Sequence, residues 1–314
     1  MKVLKSLLFV FIGAVVIAAA AFIFAKVHGD IHKVQQSAVV QKPEKMIGRA
    51  VRIVPTKLHS AKADQSSVFS EGPDPVPLIG AGQNIGAIYG VPVLMYHHVG
   101  DLPENADPVR KDLTVSTDNF TQQVEWLKSQ GYQTVSLDRL YDWLKNGITL
   151  PKKSVLLTFD DGYNDVFQNA VPVLVQNGMS GIFGIISGYV GTADYATWNQ
   201  ILAARAQGME IISHSFSHPD FATKSKADQT YDITKSNVDF TGALGSIPNY
   251  FIYPYGKYNL DTESILNSDG FRMSFTTSYG FTRPGENLLE LPRVRVHGSE
   301  LLQTFEMNLS GRKP

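Results

Sequence analysis

Short apolar runs alternate with amphipathic segments over the last two thirds of the chain. Runs rich in β-branched and aromatic residues predict strands, whereas apolar residues that recur every three or four positions predict helices. The predicted strands span 92–96, 132–135, 154–159, 182–186, 210–213, 250–253 and 273–276. The predicted helices span 117–130, 137–145, 164–176, 198–206, 226–244 and 262–268.

This order of elements favours one domain of the α/β class, which we place at residues 90–314. Strands that alternate with helices pair in parallel, because each helix carries the chain back to the start of the sheet. We therefore predict a parallel α/β sheet or barrel. In such folds the chemistry lies at the carboxyl ends of the strands.

The start of the chain carries an uncharged apolar run. Lys2 and Lys5 precede this run, which extends over 7–25, and Lys26 follows it. About 20 apolar residues cross a bilayer as a helix, and positive charge before the run favours a cytoplasmic N-terminus. We predict a transmembrane signal anchor over 1–28, with the rest of the chain outside the cytoplasmic membrane. The alternative is a cleaved signal peptide and a secreted protein, although such peptides usually have a shorter apolar region, of about 7–15 residues.

Residues 29–89 are polar and irregular, and the segment 71–77 is rich in proline. They lack a sustained apolar period, so we predict an extracytoplasmic linker, with a small folded cap as the alternative. The formal net charge of −1 provides no basic field that would attract nucleic acid. Because the chain has no cysteine, any metal site must use histidine and carboxylate ligands.

Candidate metal ligands follow two of the predicted strands. Asp160 and Asp161 come directly after strand 154–159, and His214 and His218 come after strand 210–213. Two imidazoles and one carboxylate bind zinc or a similar ion and leave positions open for water and substrate, which suits a hydrolytic site. The other aspartate is then free to act as a base. Alone, the aspartate pair before a glycine is also an ordinary turn signal.

These two segments resemble the first two motifs of the polysaccharide deacetylases, carbohydrate esterase family 4. The first is 158–162 (Thr-Phe-Asp-Asp-Gly) and the second is 214–218 (His-Ser-Phe-Ser-His), and the resemblance extends over 91–297. It implies a distorted (β/α) barrel, often with seven strands. It also implies that Asp160 is the general base. The implied ligands of a divalent metal ion are Asp161, His214 and His218. Zinc is expected first, and the donor set also accepts cobalt, nickel or iron.

The third segment, 251–256, resembles the family's Arg-x-Pro-Tyr motif but has Ile252 where the arginine would stand. Arg293 or Arg295 could replace that arginine, although each also fits an exposed strand position, and we include Arg293 among the candidate substrate contacts. The backbone N–H of Tyr255 is a candidate oxyanion donor, because Pro254 restricts the turn that holds it.

The fourth segment is Tyr96-His97-His98, at the end of the first predicted strand. It resembles the branch of the family that deacetylates poly-β-1,6-linked N-acetylglucosamine in biofilm matrices. That resemblance implies His97 as the acid that protonates the leaving amine, with His297 as the alternative. His98 is expected to point away, because neighbouring strand residues face opposite sides.

The expected activity is removal of acetate from an N-acetylglucosamine polymer, which leaves free amines. Aromatic residues near the motifs, namely Tyr163, Trp198 and Tyr253, are candidates for stacking on sugar rings, although each is also a candidate packing residue. Two alternatives remain: deacetylation of peptidoglycan, and a catalytically silent carbohydrate-binding module. The expected partners are the polysaccharide substrate and the membrane that holds the anchor.

Overall fold

The computed structural model of this chain describes residues 90–309. The predicted anchor over 1–28 and the predicted linker over 29–89 lie outside the described residues. Within the described part, no helix combines the length and the apolar character that a membrane crossing requires.

Ten strands and eight α-helices make up the described domain. The strands are β1 (Val93–Tyr96), β2 (His98–Val99), β3 (Thr114–Val115), β4 (Gln133–Thr134), β5 (Ser154–Phe159), β6 (Ile182–Ile185), β7 (Glu210–Ser213), β8 (Tyr250–Ile252), β9 (Met273–Tyr279) and β10 (Leu291–Arg295). The helices are α1 (Pro108–Leu113), α2 (Thr117–Ser129), α3 (Leu137–Asn146), α4 (Val171–Asn177), α5 (Trp198–Ala206), α6 (Lys226–Leu244), α7 (Leu260–Ser268) and α8 (Leu302–Leu309).

Seven of these strands close into a parallel barrel. Their order is β1, β10, β9, β8, β7, β6 and β5, and β5 returns to pair with β1. The closing pair matches Leu94 with Leu157, and on the other side Leu94 matches Val294. The short strand β4 adds to the start of β5. The prediction of a parallel α/β barrel is therefore confirmed for this domain.

The predicted bounds agree with the structure for a fully buried strand, β5, and for a helix with capped ends, α6. All six residues of β5 are buried, as expected for a strand covered on both faces. Helix α6 begins where the Ser225 side chain accepts the N–H of Asp228, and it ends at Gly245, which has a positive φ of 81°. These two elements match their predicted bounds.

The predicted helix 164–176 is divided in the structure. Val166–Ala170 form a π-helical turn, in which the N–H of Val171 bonds to the carbonyl of Val166, and α4 follows. Pro172 explains the wider turn, because proline has no N–H to donate and its ring would crowd the carbonyl of residue 168. Helices α1 and α8 and the pair β2–β3 were not predicted.

Two apolar layers hold the barrel. Leu137 and Leu140 of α3 pack into an inner cluster that alternate strand residues form. The strand residues of this cluster are Val93, Leu156, Ile182, Ile212, Ile252, Met273, Phe275 and Leu291. The opposite strand faces pack against the helices, as Phe159 does against Phe120 of α2. This alternation places residues 156 and 158 of β5, and Asp160 directly after it, on one side of the sheet, where the candidate site lies.

Candidate active site

The candidate residues meet in a cavity of about 510 Å³ at the carboxyl ends of the barrel strands. Asp160 and Asp161 follow β5, His97 follows β1 and His214 follows β7. Parallel strands end at one edge of the barrel, so residues far apart in sequence become neighbours there. The cavity is lined by, among others, His97, Asp160, Asp161, His214, His218 and Tyr255.

Asp161, His214 and His218 form a cluster with the geometry of a metal site. Their ligand atoms lie within 4.8 Å of one another. The Oδ1 atom of Asp161 is 3.2 Å from Nε2 of His214 and 3.3 Å from Nε2 of His218. Tetrahedral coordination with bonds of about 2.0–2.1 Å requires ligand separations of roughly 3.3 Å. The two separations from Asp161 therefore suit the binding of one divalent metal ion.

The ring nitrogens of both histidines are available for such an ion. The Nδ1 atom of His214 is 2.8 Å from the carbonyl oxygen of Ile252, to which it can only donate. Nδ1 therefore carries a proton, which leaves Nε2 as the atom directed at Asp161. Burial, together with the charge of His214, lowers the pKa of His218 to about 4, so this ring is neutral at neutral pH.

The backbone of the site is held in an uncommon conformation. Asp161, Ser215, His218 and Tyr255 have positive φ values of 73°, 72°, 56° and 58°, and within residues 90–309 no other non-glycine residue does. Side chains disfavour this left-handed region, and residues that occupy it often belong to functional sites. Gly162 has a φ of 81° and lets the turn after Asp161 form.

Asp160 is held by a buried arginine. Arg293 donates from Nη1 to Oδ1 of Asp160 at 2.7 Å and from Nη2 to Oδ2 at 2.8 Å. The same guanidinium also donates to the hydroxyl of Thr158 and to the carbonyl of Thr276. Burial alone would raise the pKa of Asp160, but the charge and hydrogen bonds of Arg293 hold it below its ordinary range. Asp160 is therefore a fixed, ionised acceptor beside the metal cluster.

This arrangement gives the two candidate arginines different surroundings. Arg293 is fully enclosed and contacts the carboxylate, so it lies behind Asp160 and not in the space open to substrate. Of the two arginines, Arg293 is the one that contacts Asp160. Arg295 lines the cavity and forms an ion pair with Asp112 of α1.

His97 faces the cavity, and its Nε2 atom lies 4.0 Å from Oδ2 of Asp160. Burial lowers the pKa of His97, although the charges of Asp160 and Asp161 oppose this shift. His297 is half exposed, and its Nδ1 atom is 2.8 Å from Asp112. His98 bonds to Asp165 at 2.7 Å and stacks on Tyr163. Of these three histidines, His97 is the one that lines the cavity.

The predicted aromatic contacts are divided in the same way. Tyr163 lines the cavity. Tyr253 also lines the cavity, although it is fully buried and stacks on Tyr258, with ring centroids 4.5 Å apart. Trp198 packs edge-on against Phe240 of α6. Of the three predicted aromatic residues, Tyr163 and Tyr253 thus line the cavity, and Trp198 packs against α6.

Sequence reasoning missed two tyrosines of the cavity wall. Tyr195 stacks on Tyr163 at a centroid distance of 5.0 Å, and Tyr189 contacts Tyr195 edge-on. Both lie on the loop after β6, which the backbone joins to the loop after β5 through the Asn164 N–H and the Asp194 carbonyl. The sequence gives only a weak signal for these two tyrosines, because it is the contact between the two loops that brings them beside Asp160 and Asp161.

Comparison with known sequences identifies the same domain. The family sequence model described as polysaccharide deacetylase matches residues 147–274. YxkH of Bacillus subtilis (strain 168) is 29% identical over 206 residues, which are 66% of this chain and 71% of that protein. Its name assigns it to the polysaccharide deacetylases without establishing its activity. The poly-β-1,6-N-acetyl-D-glucosamine N-deacetylase of Escherichia coli O157:H7 is 26% identical over 263 residues, 70% of this chain. The match spans only 38% of that longer relative.

Solved structures share the fold. A Streptococcus pyogenes deacetylase, PplD, in complex with acetate superposes with a TM-score of 0.65 at 28% identity, over 70% of this chain and 97% of that one. IcaB from Ammonifex degensii superposes with a TM-score of 0.63 at 27% identity, over 71% of this chain and 97% of that one. Motifs, barrel and relatives agree that this chain contains a polysaccharide deacetylase domain, the domain of a family of hydrolases that act on amide bonds.

Proposed function

We propose that this chain is a metal-dependent N-deacetylase of an extracellular N-acetylglucosamine polymer, with poly-β-1,6-N-acetylglucosamine of biofilm matrix as its substrate. One observation carries the proposal: the adjacent carboxylates have separate surroundings. Asp160 is clamped by Arg293, whereas Asp161 faces His214 and His218. The name of the Escherichia coli relative supports the choice of polymer.

Each residue then has a role in amide hydrolysis. Asp160, ionised and fixed by Arg293, removes a proton from the attacking water. His97 lies 4.0 Å from Asp160, whose charge favours the protonated ring, and as an imidazolium it gives its proton to the leaving amine, because an amide anion is too basic to leave at neutral pH. The Tyr255 N–H donates to the oxyanion. The cavity-lining rings of Tyr163, Tyr189 and Tyr195 offer apolar faces to the sugar.

Asp161, His214 and His218 would hold the metal ion. When bound, the ion supplies Lewis acidity and lowers the pKa of water. We propose zinc, because two imidazoles and a carboxylate at these separations suit its preferred geometry. Cobalt, nickel and iron fit the same donors, so metal replacement should restore activity to chelated protein to different extents.

We also propose that residues 1–28 anchor the chain in the cytoplasmic membrane and place the domain outside the cytoplasm. The support is the uncharged apolar run between Lys5 and Lys26, which is long enough to cross a bilayer. Immunoblots of membrane and medium fractions test this point. Full-length protein in the membrane fraction is expected, and a shortened protein found only in the medium would show cleavage.

Acetate release tests the enzymatic proposal. Purified poly-β-1,6-N-acetylglucosamine and purified peptidoglycan are each incubated with the full chain, with and without a chelator, and with zinc added back. The proposal expects acetate from the first polymer, loss of release with chelator and recovery with zinc. Release from peptidoglycan alone would move the activity to the cell wall. Polymer binding without acetate release, at full metal occupancy, would indicate a silent binding module.

A further inference from the structure

The loop between the two histidine ligands is bound by a buried carboxylate on a helix outside the barrel. Asp232 of α6 is 5% exposed. Its Oδ1 atom accepts the N–H of Phe216 at 2.9 Å, and its Oδ2 atom accepts the N–H of Ser217 at 3.0 Å and the Ser217 hydroxyl at 2.5 Å. Both oxygens thus bind the segment that joins His214 to His218.

A second contact from α6 supports the start of the same loop. Ser236, one helical turn after Asp232, lies with its hydroxyl 3.1 Å from that of Ser213, and Ser213 accepts the N–H of Ser215 at 3.3 Å. Residues four apart share one face of a helix, so α6 presents a polar stripe to the loop. Polar residues at these buried helix positions are costly unless each is hydrogen-bonded, as these are.

The loop needs such support because of its backbone. Ser215 and His218 both have positive φ values, 72° and 56°. The Ser215 hydroxyl accepts the N–H of His218 at 2.9 Å, which closes the turn from within. Left-handed residues persist only where surrounding contacts fix them, and Asp232 supplies three of these contacts from outside the loop.

From these contacts we infer that Asp232 is a positioning residue for the metal site: it sets the loop conformation that brings His218 Nε2 within 3.3 Å of Asp161. This inference rests on the proposed metal site, although Asp232 touches no metal ligand side chain. It acts through the backbone of Phe216 and Ser217. Groups that orient metal ligands usually change metal affinity by about 10–100-fold when they are removed.

The test is Asp232→Asn, which keeps the size of the side chain but replaces one acceptor oxygen with a donor. Cobalt(II) titration, followed by absorbance, is expected to show a dissociation constant about 10–100-fold above that of the unaltered chain. Hydrogen exchange of the metal-free protein should show faster exchange at the Phe216 and Ser217 amides. Ser217→Ala removes one donor only and should cause a smaller change in the same direction.

Asn237→Ala is the matched control on the same helix. Asn237 is also buried, and its Nδ2 atom donates to Asp269 at 2.9 Å, away from the loop. We expect it to lower the melting temperature while the cobalt dissociation constant and the loop amide exchange stay unchanged. An equal loss of cobalt affinity in Asn237→Ala and Asp232→Asn would overturn the inference, because the effect would then be general destabilisation.

Unchanged cobalt affinity in folded Asp232→Asn would also overturn it. If Asp232→Asn does not fold, Ser217→Ala decides: unchanged affinity and exchange would contradict the positioning role. If the unaltered chain binds no cobalt, the proposed metal site itself fails. The exchange measurement still decides whether Asp232 orders the loop, so the two failures are distinguishable.

Discussion

The two ends of the barrel are built from different kinds of contact. At the carboxyl end, four non-glycine residues have left-handed backbone, and a fully enclosed arginine meets a buried carboxylate. At the amino end, Glu210 accepts the N–H of Leu137, and Asp138 accepts hydrogen bonds from Tyr250 and Arg272. These contacts tie α3 to the starts of three strands.

The carboxyl end of the barrel carries the candidate site, whereas the contacts of the amino end support the fold. Strained backbone and buried charge are costly, and they are concentrated at the end where the site lies. The contacts of the amino end join strands to a helix and bring no ligand set together. Substitutions at the carboxyl end should therefore change activity most, and those at the amino end should change stability alone.

The largest effect is expected for His214→Ala at the carboxyl end. The variant removes one of three proposed ligands, so bound zinc, measured by elemental analysis, and acetate release should both fall to background. Tyr250→Phe, which removes the hydroxyl that donates to Asp138 at the amino end, is the control and should keep both. Full zinc content in His214→Ala would contradict the proposed ligand set.

His97→Ala should lower the turnover number by about 10²–10⁴-fold, the usual contribution of a general acid. Zinc content and melting temperature should stay near those of the unaltered chain, because His97 is outside the ligand cluster. His297→Ala, at the half-exposed histidine bonded to Asp112, is the matched control and should retain activity. The opposite pattern would assign the acid to His297.

Arg293→Met should change both stability and pH dependence. Loss of one partner from a buried ion pair lowers the free energy of unfolding by about 3–5 kcal/mol. Arg293 keeps the pKa of Asp160 low, so the contribution of this carboxylate to stability is present above its unfolded pKa and is lost as pH falls through the folded one. In the variant that pKa rises, and the acidic limb of the pH–rate profile should move to higher pH. An unmoved limb would remove Asp160 as the base.

The smallest effect is expected at the amino end, for Glu210→Gln. Burial raises the pKa of Glu210 to about 7, despite the hydrogen bond from Leu137. Its contribution to stability is therefore present below the unfolded pKa, near 4.5, and is lost as pH rises through about 7. Between pH 5 and pH 8 the melting temperature of the variant should rise relative to that of the unaltered chain, and acetate release should be unchanged. A constant difference across this range would contradict the linkage.

Much of the barrel follows from local pattern, because buried strands and capped helices carry their signals within a few residues. The strand ending at Phe159 and the helix 226–244 are examples. The π-helical turn after Asp165 was not predicted, because the effect of Pro172 on the preceding turn depends on how the chain packs. The pairing of β2 with β3 joins two-residue strands, which are too short to show a period.

Some residues of the candidate site were also predictable from local sequence, and others were not. Ligand types at strand ends made the cluster of Asp161, His214 and His218 predictable as a group. The surroundings of Arg293 were not predictable, because a strand residue faces the interior or the solvent according to the register of its neighbours. Here β10 has an irregular register against β9, between Leu291 and Arg293. Asp232 was also missed, since only tertiary contact brings α6 to the loop.

The central claim is that Asp160 and Asp161, adjacent in the chain, have separate roles as base and ligand. The most direct test compares Asp160→Asn with Asp161→Asn, measuring zinc content and acetate release on the same preparations. The account predicts that Asp160→Asn keeps zinc and loses nearly all turnover, whereas Asp161→Asn loses both. Turnover by zinc-loaded Asp160→Asn at the rate of the unaltered chain would contradict it.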